Sequence, residues 1–370
     1  MKLSFQNLFY ILVFIFGLFA VMVLAKPVLI PLSMALFISF IFFPVAQKLE
    51  SWGLSRLLAA FGSLLMIILI IGGGIFLFSA QIVSLSDQLS DFTSKIMNTL
   101  SDVVVFINSN VNFIDDLNRD ELVENGKEWL NESSGSLMQN AFSSTAAFLT
   151  GLLATIIFTF LILIYRDGLT RAFVAFGDEE NKGKIFRMLK NIQRVGKKYL
   201  SGMFLLILIL GFAHSIALLI IGIDSPFLFG FLVAVLAFLP YIGTVIGAII
   251  PILYAFMTAD SLWVPLVVIM WFWAMQIMES NFLNPKIVGS SVNVNALVAI
   301  LSLLIGSSVW GIAGMVLFLP FAAILKVVCE EFDQLKPVAM LISSGISGDN
   351  EEESKTSEWY EKIKGWFRNK

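Results

Sequence analysis

The side chain best suited to chemistry in this sequence is Glu279, an acidic residue at the end of a long apolar stretch. It lies in residues 271–285, WFWAMQIMESNFLNP, together with Gln276, Asn281 and Asn284. A carboxyl group near membrane depth is costly unless it is paired, hydrated or protonated, so it is a functional candidate. It would take up a proton or help to bind a cation. Alternatively, Glu279 lies at the membrane interface and orders the loop that follows.

Other reactive side chains are scarce. His214 and Cys329 are the only histidine and the only cysteine, so neither an intrachain disulfide nor a thiolate metal cluster can form. His214 would either shuttle protons near neutral pH or act as a hydrogen-bonded packing residue. The sequence contains neither a P-loop nor a nucleophile with a neighbouring base. We therefore expect no enzymatic activity, no cofactor or metal, and no nucleic-acid partner.

The elements that must position these groups are membrane helices, and one of them is interrupted. Residues 226–258 are apolar throughout, but Pro240 and Gly243 lie at the centre of the run. Proline removes a backbone donor and glycine weakens a helix. Inside a bilayer, the freed polar groups must be satisfied by protein or by water. Because transporters build binding sites at such interruptions, we expect Pro240, Tyr241 and Gly243 to belong to a site.

The composition is that of a membrane protein. Of the 370 residues, 58% are hydrophobic and 14% are charged, whereas soluble domains average about 45–50% apolar residues. About 20 apolar residues cross the hydrocarbon core as a helix. We predict an all-α, multi-pass fold with full spans at 8–25, 28–47, 57–80, 146–165, 201–222 and 261–280. We interpret the first run as a span and not as a signal peptide, because no small-residue cleavage site follows it.

Lysine and arginine are unevenly distributed between the polar segments. Residues 166–200 contain nine of them, whereas residues 81–145 contain three against ten acidic residues. Because basic loops stay in the cytoplasm, we expect residues 166–200 and both termini inside a bacterial inner membrane. The predicted domains are N-terminal spans (1–80), an external helical insert (81–145), a transport core (146–330) with the cytoplasmic amphipathic segment 166–200, and a cytoplasmic tail (331–370).

Because successive full spans cross the membrane in alternating directions, each of the two broken regions must start and end on the same side, as a hairpin does. Residues 226–258 must begin and end outside, and residues 296–329 must begin and end inside. Arms of about 14 residues are roughly 21 Å long, which is short of a hydrocarbon core of about 30 Å. We therefore predict two re-entrant hairpins that enter from opposite faces, the second with its tip near Gly306, Gly311 and Gly314. Alternatively, each hairpin crosses fully and its glycines serve close helix packing.

Three local patterns lead to further expectations. Apolar residues at spacings of three and four over 82–106 indicate a helix that packs on a second subunit or on the insert's own part near 120–140. Residues 185–199 have one apolar and one basic face, which is typical of a helix lying in the headgroup region. The sequence Arg166-Asp167-Gly168 is interpreted as a helix stop.

Three segments together resemble one known family. Pro240-Tyr241-Ile242-Gly243 resembles the first signature of the autoinducer-2 exporter family of bacterial membrane proteins. Residues 276–289 (QIMESNFLNPKIVG) resemble its second signature, and residues 306–326 resemble its third. Residues 165–168 are a weaker match. The chain departs from the expected pattern at 293–297 (NVNAL), where we would expect a stretch containing Gly, His or Pro.

The resemblance implies a transporter, because family members are linked to export of a furanone signal and to cation–proton exchange. We expect export of a small polar solute coupled to H⁺ or Na⁺, by a homo-oligomer in the lipid bilayer. The alternatives are a cation–proton antiporter, an uncoupled oligomeric channel and a non-transporting scaffold. The predicted site residues are Pro240, Tyr241, Gly243, Gln276, Glu279, Asn281, Pro285, Gly306, Gly311 and Gly314.

Overall fold

The protein is built from helices along its described length. The computed structural model describes the backbone of residues 5–86, 119–239, 243–259, 261–289 and 293–344. In chain order its α-helices are α1 (Phe5–Leu24), α2 (Lys26–Ser51), α3 (Arg56–Ser86), α4 (Arg119–Ala175), α5 (Lys182–Ile221), α6 (Pro226–Leu236), α7 (Gly243–Thr258), α8 (Trp263–Met278), α9 (Ala296–Trp310), α10 (Ile312–Glu331) and α11 (Lys336–Ile342). A π-helix (Glu279–Gly289) follows α8, and a short 3₁₀-helix (Asp333–Leu335) precedes α11.

Six helices of the described chain are long and apolar enough to cross a membrane. They are Lys26–Ser51, Arg56–Gly74, Ala147–Ala175, Lys182–Ile221, Trp263–Val288 and Ile312–Glu331. The predicted class, a multi-pass helical membrane protein, is therefore confirmed. The set differs from the predicted one at two places. It includes α10, the second arm of the second broken region, whereas the first predicted span contains the shorter apolar helix Leu12–Leu24.

Two helices extend far beyond the spans predicted within them. α4 has 57 residues and α5 has 40, which correspond to roughly 85 Å and 60 Å at 1.5 Å per residue. The helix stop predicted at Arg166-Asp167-Gly168 is wrong, because α4 continues to Ala175. A single glycine costs a helix only about 1 kcal/mol, and the Arg166 guanidinium is held over the Phe43 ring, 5.1 Å from its centroid. Of the periodic stretch 82–106, only residues 82–86 are described, as the end of α3.

The amphipathic segment 185–199 is not a separate surface helix. It is the first half of α5, and its apolar face packs on protein. A side chain on Gly196 would meet the Phe40 ring at 2.6 Å and the Phe37 ring at 3.3 Å, while Tyr199 is only 1% exposed. The same alternation of apolar and basic faces suits a headgroup helix and a helix that packs on a neighbour. The sequence pattern could not distinguish the two.

The chain divides into two compact units. The first comprises residues 1–47, 161–204 and 282–370, and the second comprises residues 48–160 and 205–281. The core of the first unit contains Phe37, Trp310 and Leu317, and the Trp310 indole N–H donates to the Met22 carbonyl at 2.9 Å. The core of the second unit contains Phe229 and Tyr254, whose rings lie 4.9 Å apart.

Both predicted hairpins are interrupted where the sequence suggested, one within each unit. In the first hairpin α6 has 11 residues and α7 has 16, so both arms, at roughly 17 Å and 24 Å, are short of the hydrocarbon core. In the second hairpin α9 has 15 residues and α10 has 20, or roughly 22 Å and 30 Å. The second hairpin is thus asymmetric, because its second arm is long enough to cross.

Candidate functional site

Glu279 lies on the buried face of a membrane helix. The buried side chains of α8 recur at spacings of three and four and continue to the carboxyl group; they are Pro265, Val268, Phe272, Met275 and then Glu279. Glu279 is only 5% exposed, so protein atoms cover the carboxyl group and shield it from lipid. A covered carboxyl group in a span is costly unless it interacts, and it is suited to hold a proton or a cation.

The helix changes character at Glu279. From this residue to Gly289 the backbone is a π-helix, in which each N–H bonds to the carbonyl five residues earlier, and such segments often mark functional sites. Ser280 Oγ donates to the Gln276 carbonyl at 2.8 Å, and Asn281 Nδ2 donates to the Ile277 carbonyl at 2.9 Å. These carbonyls would accept the backbone N–H groups of residues 280 and 281 in an α-helix, so the side chains compete with that pattern.

The remaining predicted residues of this segment are more open. Gln276 is half-buried, whereas Asn281 and Pro285 are exposed. Pro285 supplies no backbone N–H, which weakens the hydrogen-bond ladder at the same place. The predicted polar cluster is therefore divided, since Glu279 faces protein and the Asn281 side chain is turned back onto its own helix.

His214 packs on the same face of α8 in the second unit. It is 3% exposed, and its ring lies 4.9 Å from that of Phe272. The Trp271 indole N–H donates to His214 Nδ1 at 3.2 Å. Among the described atoms, Nε2 is buried and has no hydrogen-bond partner. Phe272 and Glu279 are seven residues apart, so His214 contacts α8 roughly 10 Å from the carboxyl group along the helix axis.

Glycines bring the first hairpin close to its neighbours in the second unit. A side chain on Gly230 of α6 would collide with Ser215 of α5, whose backbone nitrogen lies 2.5 Å from the Cβ position. A side chain on Gly243 would collide with the Leu236 carbonyl, because α7 begins against the end of α6. Close helix packing therefore accounts for Gly243. Pro240 and Tyr241, predicted at the tip, lie outside the described residues.

The second hairpin turns at a glycine and is closed by two others. Gly311 has φ +61°, a conformation that favours glycine, and it separates α9 from α10. A Cβ on Gly306 would collide with the Gly314 carbonyl, and a Cβ on Gly314 would collide with the Gly306 carbonyl. The two arms are therefore in backbone contact just below the turn, where the sequence placed the tip.

The predicted residues that the structure describes are divided between the two compact units. Gly243, Gln276, Glu279 and Asn281 belong to the second unit, and Pro285 and the tip glycines 306, 311 and 314 belong to the first. That the two hairpin tips meet near the middle of the membrane stays a prediction, as do the roles of the ten residues.

One polar group escaped the sequence analysis. Lys326, the last residue of the third family-like segment, is only 6% exposed within α10, and its Nζ donates to the Asn293 carbonyl at 3.0 Å. Asn293 has φ +46°, a conformation that asparagine tolerates better than most residues. Asn295 caps α9 by accepting from Val298 N at 2.9 Å. An asparagine directly before an apolar run was the available signal for this cap.

A multi-pass helical protein with two interrupted hairpins and a covered carboxyl group in a span has the features of a membrane transport protein. Residues 8–334 match the AI-2E family transporter profile, and the chain belongs to that family. The match includes every predicted site residue and ends before α11.

Several relatives align along most of the chain. YrrI of Bacillus subtilis (strain 168), whose name assigns it an assumed role in transport, is 28% identical over 326 residues, covering 84% of this chain and 88% of its own. YueF of the same organism is 27% identical over 313 residues, covering 80% and 82%. The AI-2 transport protein TqsA of Escherichia coli (strain K12) is 26% identical over 325 residues, covering 86% and 90%. The predicted family and the general role in transport are therefore confirmed.

Proposed function

We propose that this protein exports a small polar solute, similar to autoinducer-2, by secondary transport coupled to H⁺ or Na⁺. Membership of the AI-2E family supports transport as the activity. The name of TqsA, a relative that aligns along 86% of the chain, supports autoinducer-2 as the first solute to test. The proposed setting is the bacterial inner membrane, with both termini in the cytoplasm and with several copies of the chain in a homo-oligomer.

The observation that carries the coupling is the covered carboxyl group of Glu279. A carboxylate in a span must be paired, hydrated or protonated, and a bound cation or proton would neutralise its charge. Its charge thus depends on whether the coupling ion is present. Glu279 lies where α8 becomes a π-helix, so a change in its charge acts on the part of the span with the least regular hydrogen bonding. Uptake and release of the ion would in this way alter the conformation of the segment.

The proposed cycle is alternating access. Backbone groups near the interruptions 240–243 and 306–311 would contact the solute, since a broken helix offers polar backbone atoms within the membrane. Glu279 would bind the coupling ion in one conformation and release it in the other. Both contacts are hypotheses, and the experiment below tests the second directly.

The test uses purified protein in liposomes that carry a defined pH or Na⁺ gradient. The solute is autoinducer-2, and its flux is measured between pH 5.5 and 8.5. We expect Glu279→Gln to lower the maximum flux at least about tenfold, the effect of losing about 1.4 kcal/mol in a rate-limiting step, and to flatten its pH dependence. Glu279→Asp keeps a carboxyl group and should retain a pH-dependent flux.

Glu179→Gln is the matched control, because Glu179 is 90% exposed and pairs with Lys182 at the surface. It removes one carboxylate without touching the span and should behave as wild type. If Glu279→Gln transports autoinducer-2 with the wild-type pH dependence, the coupling role of Glu279 is wrong.

A cation–proton antiporter is the second candidate, and the same carboxyl group supports it. In that case an imposed Na⁺ gradient moves protons across liposomes without any solute, and Glu279→Gln abolishes this movement. An uncoupled channel is distinguished by electrical recording. Large unitary currents favour a pore, whereas slow, saturable flux favours a carrier.

A further inference from the structure

The base of the second hairpin is held by a group of polar contacts that the proposed transport site does not include. We name it the base clamp and define it as Asn293, Asn295, Lys326 and residues 341–344. It lies entirely within the first unit. It joins the start of α9, the C-terminal part of α10 and the end of α11, which are three elements separated by up to 50 residues of sequence.

Lys326 supplies the contact between α10 and the loop before α9. Its ammonium group donates to the Asn293 carbonyl at 3.0 Å and lies 3.4 Å from Glu330 Oε1, one turn further along α10. A buried ammonium group is costly, and hydrogen bonds from a charged donor are stronger than neutral ones. The Lys326 ammonium group therefore loses a strong hydrogen bond if Asn293 moves away, so this contact restrains the position of the loop.

Asn295 supplies the contacts between the same loop and α11. Its Oδ1 caps α9, while its Nδ2 donates to the Leu341 carbonyl at 2.6 Å and to the Ser343 carbonyl at 3.3 Å. Its backbone N–H donates to the Ile342 carbonyl at 2.9 Å, and Val294 forms an antiparallel bridge with Ser343. Ser344 Oγ also donates to Asn293 Oδ1. One short loop thus donates hydrogen bonds to the carbonyls at the end of α11 and accepts one from a backbone N–H in the first turn of α9.

The clamp closes the end of the hairpin opposite its tip. At the tip, Gly306 and Gly314 hold the two arms in backbone contact. At the base, Lys326 and Asn293 hold them through a side chain. If the two arms slid past each other or separated at either end, one of these contacts would break. The hairpin therefore moves as one body, with α11 attached to it.

We propose that Lys326 and Asn295 are positioning residues of this transporter, which fix the second hairpin and α11 as one rigid body. Neither residue has to contact the solute. The role in flux rests on the proposed function, whereas the rigid attachment of α11 can be measured without any solute.

Disulfide formation across the bridge measures the attachment. Residues opposed in an antiparallel bridge have Cα atoms about 4.5–5.5 Å apart, within the range that a disulfide spans. The protein carries Cys329→Ala, so that Val294→Cys and Ser343→Cys supply the only thiols. In membranes treated with a mild oxidant, we expect rapid disulfide formation with Lys326 present. With Lys326→Met we expect the rate to fall at least about tenfold, the lower limit that loss of one hydrogen bond to a charged group gives.

The control variants separate charge and capping from attachment. Lys326→Arg keeps a charged donor and should retain most of the rate. Asn295→Asp keeps the acceptor that caps α9 but removes the donor to Leu341 and Ser343, so it should also slow disulfide formation. It serves as the second variant if Lys326→Met does not fold.

Lys336→Met is the surface control, because Lys336 lies on α11 and forms an ion pair with the exposed Asp333 at 2.5 Å. The hydrogen bond and charge of Lys336 lower the pKa of Asp333, and those of Asp333 raise the pKa of Lys336. The contribution of this pair is lost as pH falls through the lowered pKa of Asp333 or rises through the raised pKa of Lys336. It is constant between about pH 5 and 9, so Lys336→Met should change neither the rate nor its pH profile.

Transport of autoinducer-2 in liposomes is the second measurement. We expect Lys326→Met to lower the maximum flux about tenfold with KM changed less than about twofold, because it affects a conformational step and not solute contact. Lys326→Arg should restore at least half of the flux. If disulfide formation in Lys326→Met and in Asn295→Asp is as fast as in the protein that keeps Lys326 and Asn295, the attachment is refuted. If the attachment loosens but flux is unchanged, the positioning role is refuted. If wild-type protein moves no solute, the proposed function fails and the disulfide rates still decide the attachment.

Discussion

The contact between Gly306 and Gly314 leads to a prediction about stability that the structure makes quantitative. In Gly314→Ala the new methyl group lies 3.0 Å from the Gly306 Cα and closer still to its carbonyl. Carbon atoms pack best at about 3.5–4.0 Å, so the two arms must separate by on the order of 1 Å. Neither close atom belongs to a side chain that could rotate away. The backbone of α9 or α10 has to move.

Two effects of opposite sign determine the size of the change. Overpacking a close contact costs about 1–3 kcal/mol, whereas replacing a helical glycine by alanine gains about 0.8–1.0 kcal/mol. Gly314→Ala should therefore lower the free energy of unfolding by up to about 2 kcal/mol. Gly151→Ala in α4 has open space around the new methyl group and should gain the helix term alone, about 1 kcal/mol.

Thermal unfolding of the two variants in the same detergent measures the difference. For a chain of 370 residues, a gap of about 1–3 kcal/mol corresponds to roughly 1–4 °C in Tm, with Gly314→Ala the lower. Comparison with Gly151→Ala removes the helix propensity that the two substitutions share. Should Gly314→Ala melt at or above Gly151→Ala, the backbone contact does not exist in the protein and the closed tip of the second hairpin is wrong.

Further predictions concern polar contacts of the second unit and the clamp. Trp271→Phe removes the donor to His214 Nδ1 and should cost about 0.5–1.5 kcal/mol; a double-mutant cycle with His214→Phe should return a coupling of that size, and additive effects would contradict the hydrogen bond. Tyr254→Phe removes a 3.3 Å hydrogen bond to Asp224 and should cost about 0.5 kcal/mol by denaturation, with no further loss in an Asp224→Ala background. Asn295→Ala loses both the acceptor that caps α9 and the donor to α11. Its free energy of unfolding, measured by denaturation, should therefore be about 1 kcal/mol lower than that of Asn295→Asp.

The broken hairpins were predictable because their causes are local. The second hairpin turns at Gly311, which has a positive φ. Glycine is the residue type that adopts this conformation freely, and the apolar run around it is too short for two full spans. Glu279 was predictable for the same reason, since an acidic residue in an apolar stretch needs an explanation. The sequence could not show that the carboxyl group faces protein. Burial depends on which helices pack against α8, and that is a property of the tertiary fold.

Features that depend on distant residues were missed. The buried position of Lys326 was not predictable, because its partner Asn293 is 33 residues away and no local pattern links them. The sequence alone does not explain the departure from the family pattern at 293–297. In the structure its two asparagines supply a left-handed backbone position and a helix cap. The π-helix was also missed, although Ser280, Asn281 and Pro285 each weaken α-helical bonding.

The glycine tip of the second hairpin also sets a limit on mutagenesis. Alanine scanning usually works by deleting atoms, but at 306, 311 and 314 every substitution adds them, and at two of these positions the added atom strikes a backbone carbonyl. A loss of activity after substitution at these glycines would therefore result from a steric clash, whether or not the main chain contacts the solute. Replacing single peptide bonds by esters removes one N–H donor and adds no bulk. At this tip, a contact between backbone and solute is therefore tested by changing a peptide bond and not a side chain.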